Sequence, residues 1–266
     1  MSADTFKVLF IPDVHVPYHH VPAWRVVLDY IRRGRPGAVV QVGDFSSFDS
    51  VSRYRPDPRR VLPLAEEIAG SNLALDELDE ACRVGGVARG NRWLLEGNHE
   101  VRLDAYVREQ APELRPFIDW RAMLRLDQRG WATVPYLDVL ELGELSIAHD
   151  IGRAGVNAAR QSLIDYGHNL LFGHTHRAAI AYQGTTRGKR HVSATIGWLG
   201  DPEAITYRHR SMVRRDWQHG FAVVHFRADG SFWLQFIPIV DGVAVVDGEV
   251  YRADWPDSAV RSVLAR

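Results

Sequence analysis

Residues 6–15 have the sequence FKVLFIPDVH, an apolar run followed by two side chains that can bind metal ions. The run Phe6–Ile11 is short and rich in residues that favour β-structure, so it predicts a buried strand. Pro12 ends this strand, and Asp13 and His15 follow it directly. The sequence therefore predicts a strand that brings a carboxylate and an imidazole to its carboxyl end.

Other segments repeat this arrangement of an apolar strand followed by polar side chains. They are Ala38–Val42 before Asp44, Trp93–Leu95 before Asn98, Leu145–Ala148 before His149, and Leu170–Phe172 before His174 and His176. In open α/β sheets, binding sites form in the crevice at the carboxyl ends of the strands. We therefore expect these polar side chains to meet in one pocket, although they are far apart in the sequence.

Helical patterns separate the strands in the first half of the chain. Pro22 begins an amphipathic pattern that stops at Gly34. The segments Leu64–Cys82, Val101–Gln110 and about Phe117–Leu126 predict further helices. This alternation of strands and helices is typical of an α/β domain.

The second half of the chain is mostly β-structure. Hairpins are predicted around Gly143-Glu144, around Asp229-Gly230 between Phe221–Phe226 and Phe232–Ile239, and around Asp247-Gly248. The order of elements predicts one domain over residues 1–266, built of two packed sheets with helices outside and rich in hairpins from about residue 205. These C-terminal hairpins could cover the site, form a dimer surface or complete the second sheet.

The sequence around the polar residues suggests how they face one pocket. In an extended segment, side chains alternate, so Asp13 and His15 would lie on one face, and the His174–His176 pair likewise. A glycine precedes Asp44, Asn98 and His174. Each glycine allows a sharp turn and the close approach of an ion.

Composition limits the class of protein. The chain has 266 residues and a formal net charge of −1, so no global basic field attracts it to nucleic acid or membrane. Cys82 is its one cysteine, which excludes an intrachain disulfide and suits a reducing compartment. The N-terminal sequence lacks a basic region followed by a long apolar run. We expect a cytoplasmic protein without a membrane span, and a homo-oligomer stays open.

The polar side chains form a ligand set of imidazole, carboxylate and amide oxygen. That mixture suits borderline divalent ions, with manganese expected first and iron, zinc, nickel or cobalt as alternatives. Seven ligands are too many for one tetrahedral ion and suit two ions that share a carboxylate. Two such ions clamp the attacking and leaving oxygens of an in-line phosphoryl displacement.

The ordered motifs between Asp13 and His176 resemble the calcineurin-like metallophosphoesterase superfamily. The segment from Gly43-Asp44 through Arg53-Tyr54-Arg55 is similar to its bacterial and phage-encoded members. This resemblance implies a four-layer α/β/β/α sandwich of two mixed sheets flanked by helices. It also implies hydrolysis by a metal-bound hydroxide.

The resemblance further assigns roles to single residues. Asp13, His15 and His176 would hold one ion, Asn98, His149 and His174 would hold the other, and Asp44 would bridge them. His99 would be catalytic with Asp44, either protonating the leaving oxygen or stabilising the pentavalent state. Asn98 and Arg102 are the candidate substrate-binding residues, with an ordinary helix-surface arginine as the alternative for Arg102.

Several residues beside these candidate ligands are assigned supporting roles. Glu100 stands where many members have aspartate and is expected to act only behind the ligands. Asp150 follows His149 where glycine is common, and it would narrow the substrate range or orient a ligand histidine. Asp49 is interpreted as a loop cap, and His19 and His20 as loop residues rather than substrate contacts.

Three functions fit these observations. The first is a phosphodiesterase or nuclease acting on nucleic acid, including single strands, or on nucleotides; the basic loop Arg53–Arg60 and the segment Arg208–Arg215 with Trp217 favour it. The second is a phosphomonoesterase of proteins or small molecules, favoured by Arg102. The third is a non-catalytic scaffold that binds other proteins, which would be expected to have lost ligands.

Overall fold

The computed structural model describes residues 5–54, 57–184, 186, 188–205 and 216–253. The strands are β1 (Phe6–Ile11), β2 (Ala38–Gln41), β3 (Arg92–Leu95), β4 (Ala132–Val134), β5 (Leu140–Leu142), β6 (Leu145–Ala148), β7 (Leu170–Phe172), β8 (Ala178–Gly184), β9 (Arg190–Ile196), β10 (Gly220–Phe226), β11 (Phe232–Pro238), β12 (Val243–Val246) and β13 (Glu249–Arg252). The α-helices are α1 (Val21–Gly34), α2 (Leu64–Gly85), α3 (Val101–Gln110), α4 (Trp120–Met123), α5 (Leu126–Arg129) and α6 (Ala158–Tyr166).

The strands form two large mixed sheets. The first has the order β11-β10-β1-β2-β3-β4, with β1 to β4 parallel and β10 antiparallel to β1. The second has the order β5-β6-β7-β9-β8, with β6, β7 and β9 parallel and antiparallel strands at both edges. Parallel strands buried on both faces are expected to be apolar runs, as β1 and β2 are.

Alternation along β1 shows how the layers stack. Leu9 and Ile11 pack into the cluster formed with helices α1 and α2, whereas Val8 and Phe10 pack against the second sheet. On the far side of the second sheet, Ala158 of α6 packs against the strands. The result is the predicted four-layer α/β/β/α sandwich, and the period-two alternation of β1 divides its side chains between two cores.

The helix predicted at about Phe117–Leu126 is wrong as a single element. The chain forms α4 and then α5, separated by Leu124 and by Arg125, which has a left-handed backbone with φ of 55°. Leu124 and Leu126 are both buried. The apolar pattern therefore continues through the break, which explains why periodicity alone joined the two helices.

The C-terminal hairpins are present, but they do not complete the second sheet. Strands β10 and β11 pair beside β1 and extend the first sheet. Strands β12 and β13 form a separate ribbon that packs against α1. No helix within the described ranges is long and apolar enough to cross a membrane.

Candidate metal centre

The predicted ligands converge at the carboxyl ends of the parallel strands. Asp13 and His15 follow β1, Asp44 follows β2, and Asn98 follows β3 in the first sheet. His149 follows β6, and His174 and His176 follow β7 in the second sheet. Both sheets therefore contribute ligands, and the centre lies where their carboxyl edges meet.

Asp13, His15 and His176 form one group, which we call the first subsite. The Nε2 atoms of His15 and His176 are 3.0 Å apart, and His176 Nε2 is 3.2 Å from Asp13 Oδ2. All three residues are buried. This is one of the two ligand sets that the sequence resemblance implies.

Asn98, His149 and His174 form the second subsite. Asn98 Oδ1 lies 3.1 Å from His149 Nε2 and 2.8 Å from His174 Nδ1. The Nδ1 atom of His149 is 2.8 Å from the carbonyl oxygen of Val42. That carbonyl accepts the Nδ1 proton and leaves the Nε2 lone pair facing the subsite.

Asp44 lies between the two subsites. Its side chain forms a candidate metal-binding group with His149 and His174, and another with His15 and His99, each with ligand atoms within 4.8 Å of one another. Asp44 Oδ2 is 3.3 Å from His149 Nε2, and Asp44 Oδ1 accepts a hydrogen bond of 2.8 Å from the His99 backbone N–H. This position agrees with the bridging role implied for Asp44.

Buried polar atoms without partners test whether metal ions fit this centre. Asp13 Oδ2 and His15 Nδ1 are buried and form no hydrogen bond with the described residues, although His176 Nε2 lies 3.2 Å from Asp13 Oδ2. An unpartnered buried carboxylate oxygen costs free energy unless a cation compensates it. The orphaned oxygen, the two facing imidazole nitrogens and the mixed N/O donor set all fit divalent ions.

The local backbone at the ligands differs from the extended geometry expected from the sequence. His15, Asp44, His174 and His176 have positive φ angles of 59°, 52°, 64° and 57°. The Asp-x-His and His-x-His pairs therefore face the centre through left-handed turns rather than through strand alternation. Non-glycine residues rarely adopt this conformation, and such strain concentrates at functional sites.

Two glycines allow the ligand loops to pack together. A Cβ atom at Gly97 would overlap Asp44, and one at Gly173 would contact Asp13 Oδ1. The expected close approach of an ion at these glycines stays a prediction. The group that approaches the backbone is a neighbouring ligand side chain.

Glu100 has a larger structural role than its sequence position suggested. Its Oε2 accepts hydrogen bonds from the backbone N–H groups of Asp44 and Gly97 at 2.9 and 2.8 Å, and its Oε1 accepts one from Ser46 at 2.8 Å. Burial, and then the charge of Asp44, raise the pKa of Glu100 to about 8. One fully buried carboxylate thus joins the loops after β2 and β3.

Gln41 holds the same turn from the other side. Its side chain accepts from the Gly43 N–H at 2.9 Å and donates to the Gly43 carbonyl at 2.8 Å. Sequence reasoning missed Gln41. The signal that could have found it is a buried amide at the end of an otherwise apolar strand, directly before a ligand turn.

His99 and Arg102 lie beside the first subsite. The ring of His99 is 4.5 Å from that of His15, centroid to centroid, and His99 Nδ1 is 2.9 Å from the Ser47 carbonyl oxygen. Arg102 Nη2 lies 2.7 Å from His99 Nε2. Burial lowers the pKa of His99 to about 3, so the imidazole is neutral, donates from Nδ1 and accepts from Arg102.

The interpretation of Asp49 as a loop cap is wrong. Asp49 is buried, and its Oδ1 accepts from Arg102 Nη1 at 2.5 Å. Its backbone N–H in turn donates to Glu67 at 2.8 Å, which fixes the loop. Asp49 therefore neutralises Arg102 and holds it toward His99, and the side chain of Arg102 is only 12% exposed.

Asp150 lies behind the second subsite. Its Oδ2 is 3.9 Å from His174 Nε2 and accepts a hydrogen bond of 3.0 Å from the Tyr136 hydroxyl. Its Oδ1 accepts from the Gly152 N–H at 2.7 Å. Because His174 presents Nδ1 to Asn98, Asp150 faces the other ring nitrogen at a distance too long for a hydrogen bond, and its expected orienting role stays a prediction.

Aromatic side chains enclose the first subsite. Trp198 stacks on His176 at 4.7 Å with an interplanar angle of 13°, and Trp217 meets the same ring edge-on at 4.6 Å. Trp198 is buried and Trp217 is half-buried. The basic segment Arg208–Arg215 lies outside the described residues.

His19 and His20 have structural contacts in this region. His20 Nδ1 accepts from the Ala23 backbone N–H at 3.3 Å, and so caps α1, while its ring stacks on His219 at 4.5 Å. The ring of His19 packs edge-on against Trp24. The interpretation of both as loop residues that do not contact substrate stays a prediction.

Asp44 and His149 carry opposite charges that stabilise each other. Burial raises the pKa of Asp44, but contacts with His149 and His99 outweigh it and hold this pKa well below the usual range. Burial also opposes protonation of His149, yet Asp44 raises the pKa of His149 to about 10. Without metal, the pair is a carboxylate against an imidazolium, and a divalent ion would replace that proton.

The ordered motifs, the two-sheet sandwich and two candidate ligand sets that share one aspartate resemble those of the calcineurin-like metallophosphoesterase superfamily. No protein-family model matches the chain. Its relatives include the Gene 54 protein of Mycobacterium phage L5, which is 25% identical over 263 residues, covering 92% of this chain and 98% of that protein. The Gene 54 protein of Mycobacterium phage D29 matches with the same identity and coverage.

Solved structures with a similar arrangement include Vacuolar Protein Sorting 29 from Cryptosporidium parvum. It is 16% identical, with a TM-score of 0.44, and the match covers 94% of this chain and 96% of that one. YfcE, a phosphoesterase from E. coli, is 16% identical with a TM-score of 0.39, covering 86% and 98% of the two chains. At this level of similarity, neither structure indicates a substrate for this protein.

Proposed function

We propose that this protein is a metal-dependent phosphodiesterase that acts on nucleic acid or nucleotides. The observation that carries the proposal is the pair of largely buried ligand sets joined by Asp44, in which Asp13 Oδ2 forms no hydrogen bond with the described residues and lies 3.2 Å from His176 Nε2. Phosphoester hydrolysis is the chemistry that such a two-ion arrangement serves. Manganese is the expected metal.

Different residues of the chain would bind each ion and hold the ligands in place. Asp13, His15 and His176 would hold one ion, and Asn98, His149 and His174 the other, with Asp44 between them. Two divalent ions supply Lewis acidity and align the attacking and leaving oxygens. The protein supplies fixed positions, through the carbonyl of Val42 behind His149 and the carboxylate of Glu100 behind Asp44.

Charge near the centre favours a diester over a monoester. A phosphomonoester carries about two negative charges at neutral pH, and a phosphodiester carries one. The guanidinium of Arg102 is already neutralised by Asp49, and Asp150 adds a negative charge beside His174. A dianion would therefore gain little from Arg102, and Asp150 would offset part of the attraction of the ions for its second charge.

Trp217 supports a substrate that contains a nucleobase. Its half-buried ring lies against His176, at the edge of the first subsite. Aromatic side chains that stay partly accessible are the usual stacking partners of unpaired bases. A base attached to the scissile phosphate would thus find an aromatic surface within reach of the ions.

The test is a comparison of substrates with the manganese-loaded protein. We expect turnover of bis-p-nitrophenyl phosphate and of single-stranded DNA to exceed turnover of p-nitrophenyl phosphate, and Asp44→Asn to abolish all three activities. Activity on the monoester alone would make the protein a phosphomonoesterase. Absence of bound divalent ion after soaking in manganese would instead support the non-catalytic scaffold.

A further inference from the structure

A basic pocket lies at the edge of the first sheet opposite the metal centre. Its volume is about 420 Å³, and five arginines line it: Arg83, Arg89, Arg92, Arg125 and Arg129. Arg92 is the first residue of β3, whereas Asn98 follows the other end of that strand. The pocket and the candidate metal centre therefore lie at opposite ends of β3.

Two of the arginines form the fixed wall of this pocket. Arg129 Nη1 contacts Asp79 at 2.6 Å and Asp76 at 2.7 Å, and Arg92 Nη1 lies 3.4 Å from Asp79. Arg92 is buried, with its residue 6% exposed, and donates to the Val87 carbonyl at 2.8 Å. These ion pairs hold the wall rigid and neutralise its charge.

The other three arginines of the pocket differ in whether a carboxylate pairs with them. Arg83 pairs with Glu80 through two hydrogen bonds of 2.7 Å. Arg89 and Arg125 are exposed, and neither forms an ion pair with any described residue. Five guanidinium groups face three carboxylates, so two positive charges stay uncompensated.

Backbone packing fixes where these two arginines are placed. Arg125 precedes α5 in the left-handed conformation with φ of 55°. Gly130, just after α5, packs so closely on Arg89 that a Cβ atom at Gly130 would lie 2.8 Å from the Cβ of Arg89. The start and the end of α5 thus bring both unpaired arginines to one pocket.

We propose that this pocket binds a small molecule carrying a phosphomonoester dianion, such as a nucleoside monophosphate. Two uncompensated guanidinium groups match the two charges of that anion, and guanidinium binds phosphate oxygens with two parallel hydrogen bonds. A volume of about 420 Å³ exceeds what a lone phosphate needs and falls in the range of small-molecule sites. The bound molecule would thus carry an organic group beyond its phosphate.

The charges at the rim disfavour an extended nucleic-acid strand here. Asp76 and Glu80 are exposed at the mouth, and they would repel phosphates on either side of the one that is bound. A nucleic-acid groove instead carries a continuous row of positive charge. The concave shape and the paired acids select one compact anion.

Arginine modification in the metal-loaded full-length protein tests this site directly. The protein is treated with phenylglyoxal, with and without adenosine monophosphate or inorganic phosphate, and each arginine is followed by mass spectrometry. We expect adenosine monophosphate to slow modification of Arg89 and Arg125 at least about fivefold and inorganic phosphate to protect them less. Arg108, exposed on α3 and distant in sequence, is the internal reference and is expected to react at an unchanged rate.

A calorimetric titration with the same nucleotide separates this pocket from the metal centre. The double variant Arg89→Gln/Arg125→Gln is expected to lose one binding event, or to weaken it by about tenfold or more, while retaining diester turnover. Arg83→Gln is the matched control, since Glu80 already neutralises Arg83. Unprotected Arg89 and Arg125, or an unchanged isotherm in the double variant, would overturn the proposal whatever the enzymatic activity is.

Discussion

The first subsite is buried under tryptophan rings, whereas the second is more open and lies beside a tyrosine and an aspartate. The side chain of His176 is 9% exposed, and that of His174 is 27% exposed. The first subsite has its own carboxylate, Asp13, while the second has only the neutral amide of Asn98 in addition to the shared Asp44. We therefore expect the ion of the first subsite to be bound tightly and the ion of the second to exchange with solvent.

Replacing Asp44, the ligand that both subsites share, is expected to have the largest effect, because both subsites are then disturbed together. Asp44→Asn takes one negative charge from both subsites at once. We expect loss of both ions and a decrease in kcat/KM of about 10⁴-fold or more, because each ion contributes several kcal/mol to transition-state stabilisation. Metal content by mass spectrometry and diester turnover measure this together, with the exposed Asp165→Asn as control.

Retention of one equivalent of metal in Asp44→Asn would show that the subsites do not depend on a common ligand. The ion that stays bound would then be assigned by combining Asp44→Asn with Asp13→Asn.

His99 distinguishes the chemistry at the first subsite from metal binding there. His99→Gln is expected to keep both ions but to lower turnover by about 10²- to 10⁴-fold if the imidazole, which is neutral in the structure, takes up a proton when the phosphoester binds and passes it to the leaving group. The loss would then be greater for a nucleoside leaving group than for p-nitrophenol, which leaves readily without a proton. An equal loss for both substrates would assign to His99 the positioning of Arg102, to which it is bonded in the structure.

Substitutions of Asp150 and Tyr136, which lie behind the second subsite, are expected to have a smaller effect than those of Asp44 and His99. Asp150→Asn removes the charge that faces His174 Nε2, and the more exchangeable ion should bind about tenfold more weakly. Tyr136→Phe removes only the hydroxyl donor to Asp150 and should weaken that ion less. Manganese titration followed by electron paramagnetic resonance measures both, and equal weakening of the two ions would contradict the asymmetry.

The smallest expected effect is a change of stability with pH, caused by Cys82 in the helical layer beneath the metal centre. Cys82 lies on the buried face of α2, and burial raises the pKa of its thiol to about 12, whereas a thiol in the unfolded chain has its ordinary pKa of 9.0. Between pH 9 and pH 12, Cys82 loses its thiol proton in the unfolded chain but keeps it in the folded protein. The free energy of unfolding should therefore decrease as the pH rises above about 9. At pH 10 the loss attributable to Cys82 is about 1.4 kcal/mol.

Urea unfolding at pH 8 and pH 10 measures this difference, and Cys82→Ala serves as the control without a thiol. An equal pH dependence in the variant would show that Cys82 ionises in the folded protein. Removal of metal should leave the thiol protected from reagents, because neither subsite contributes to that core.

Much of the site could be predicted because ligands that follow strands are constrained by topology. Asp13, Asp44 and His149 come after short apolar runs, and parallel strands bring their carboxyl ends together whatever the loops do. The conformation of the loops could not be predicted in this way. The left-handed backbones of His15 and His176 depend on packing between segments that are distant in sequence.

The roles of supporting residues were hardest to predict. Glu100 and Asp49 are ordinary carboxylates in the sequence, and only the folded protein shows the three N–H groups bound by one and the arginine neutralised by the other. Strands β8 and β9 lacked a clear signal as well. Strand β8 lies at the edge of its sheet and has no fully buried residue, so its sequence lacks the regular apolar pattern that predicts a strand.

The left-handed turns at four ligands also limit how this centre can be varied or transplanted. Aspartate and histidine tolerate that backbone better than most residues, whereas alanine and β-branched residues resist it. An alanine scan would therefore disturb the loop and remove the ligand in one step, and asparagine is the cleaner replacement. Grafting the centre onto another scaffold would require copying the turns of His15, Asp44, His174 and His176 along with their side chains.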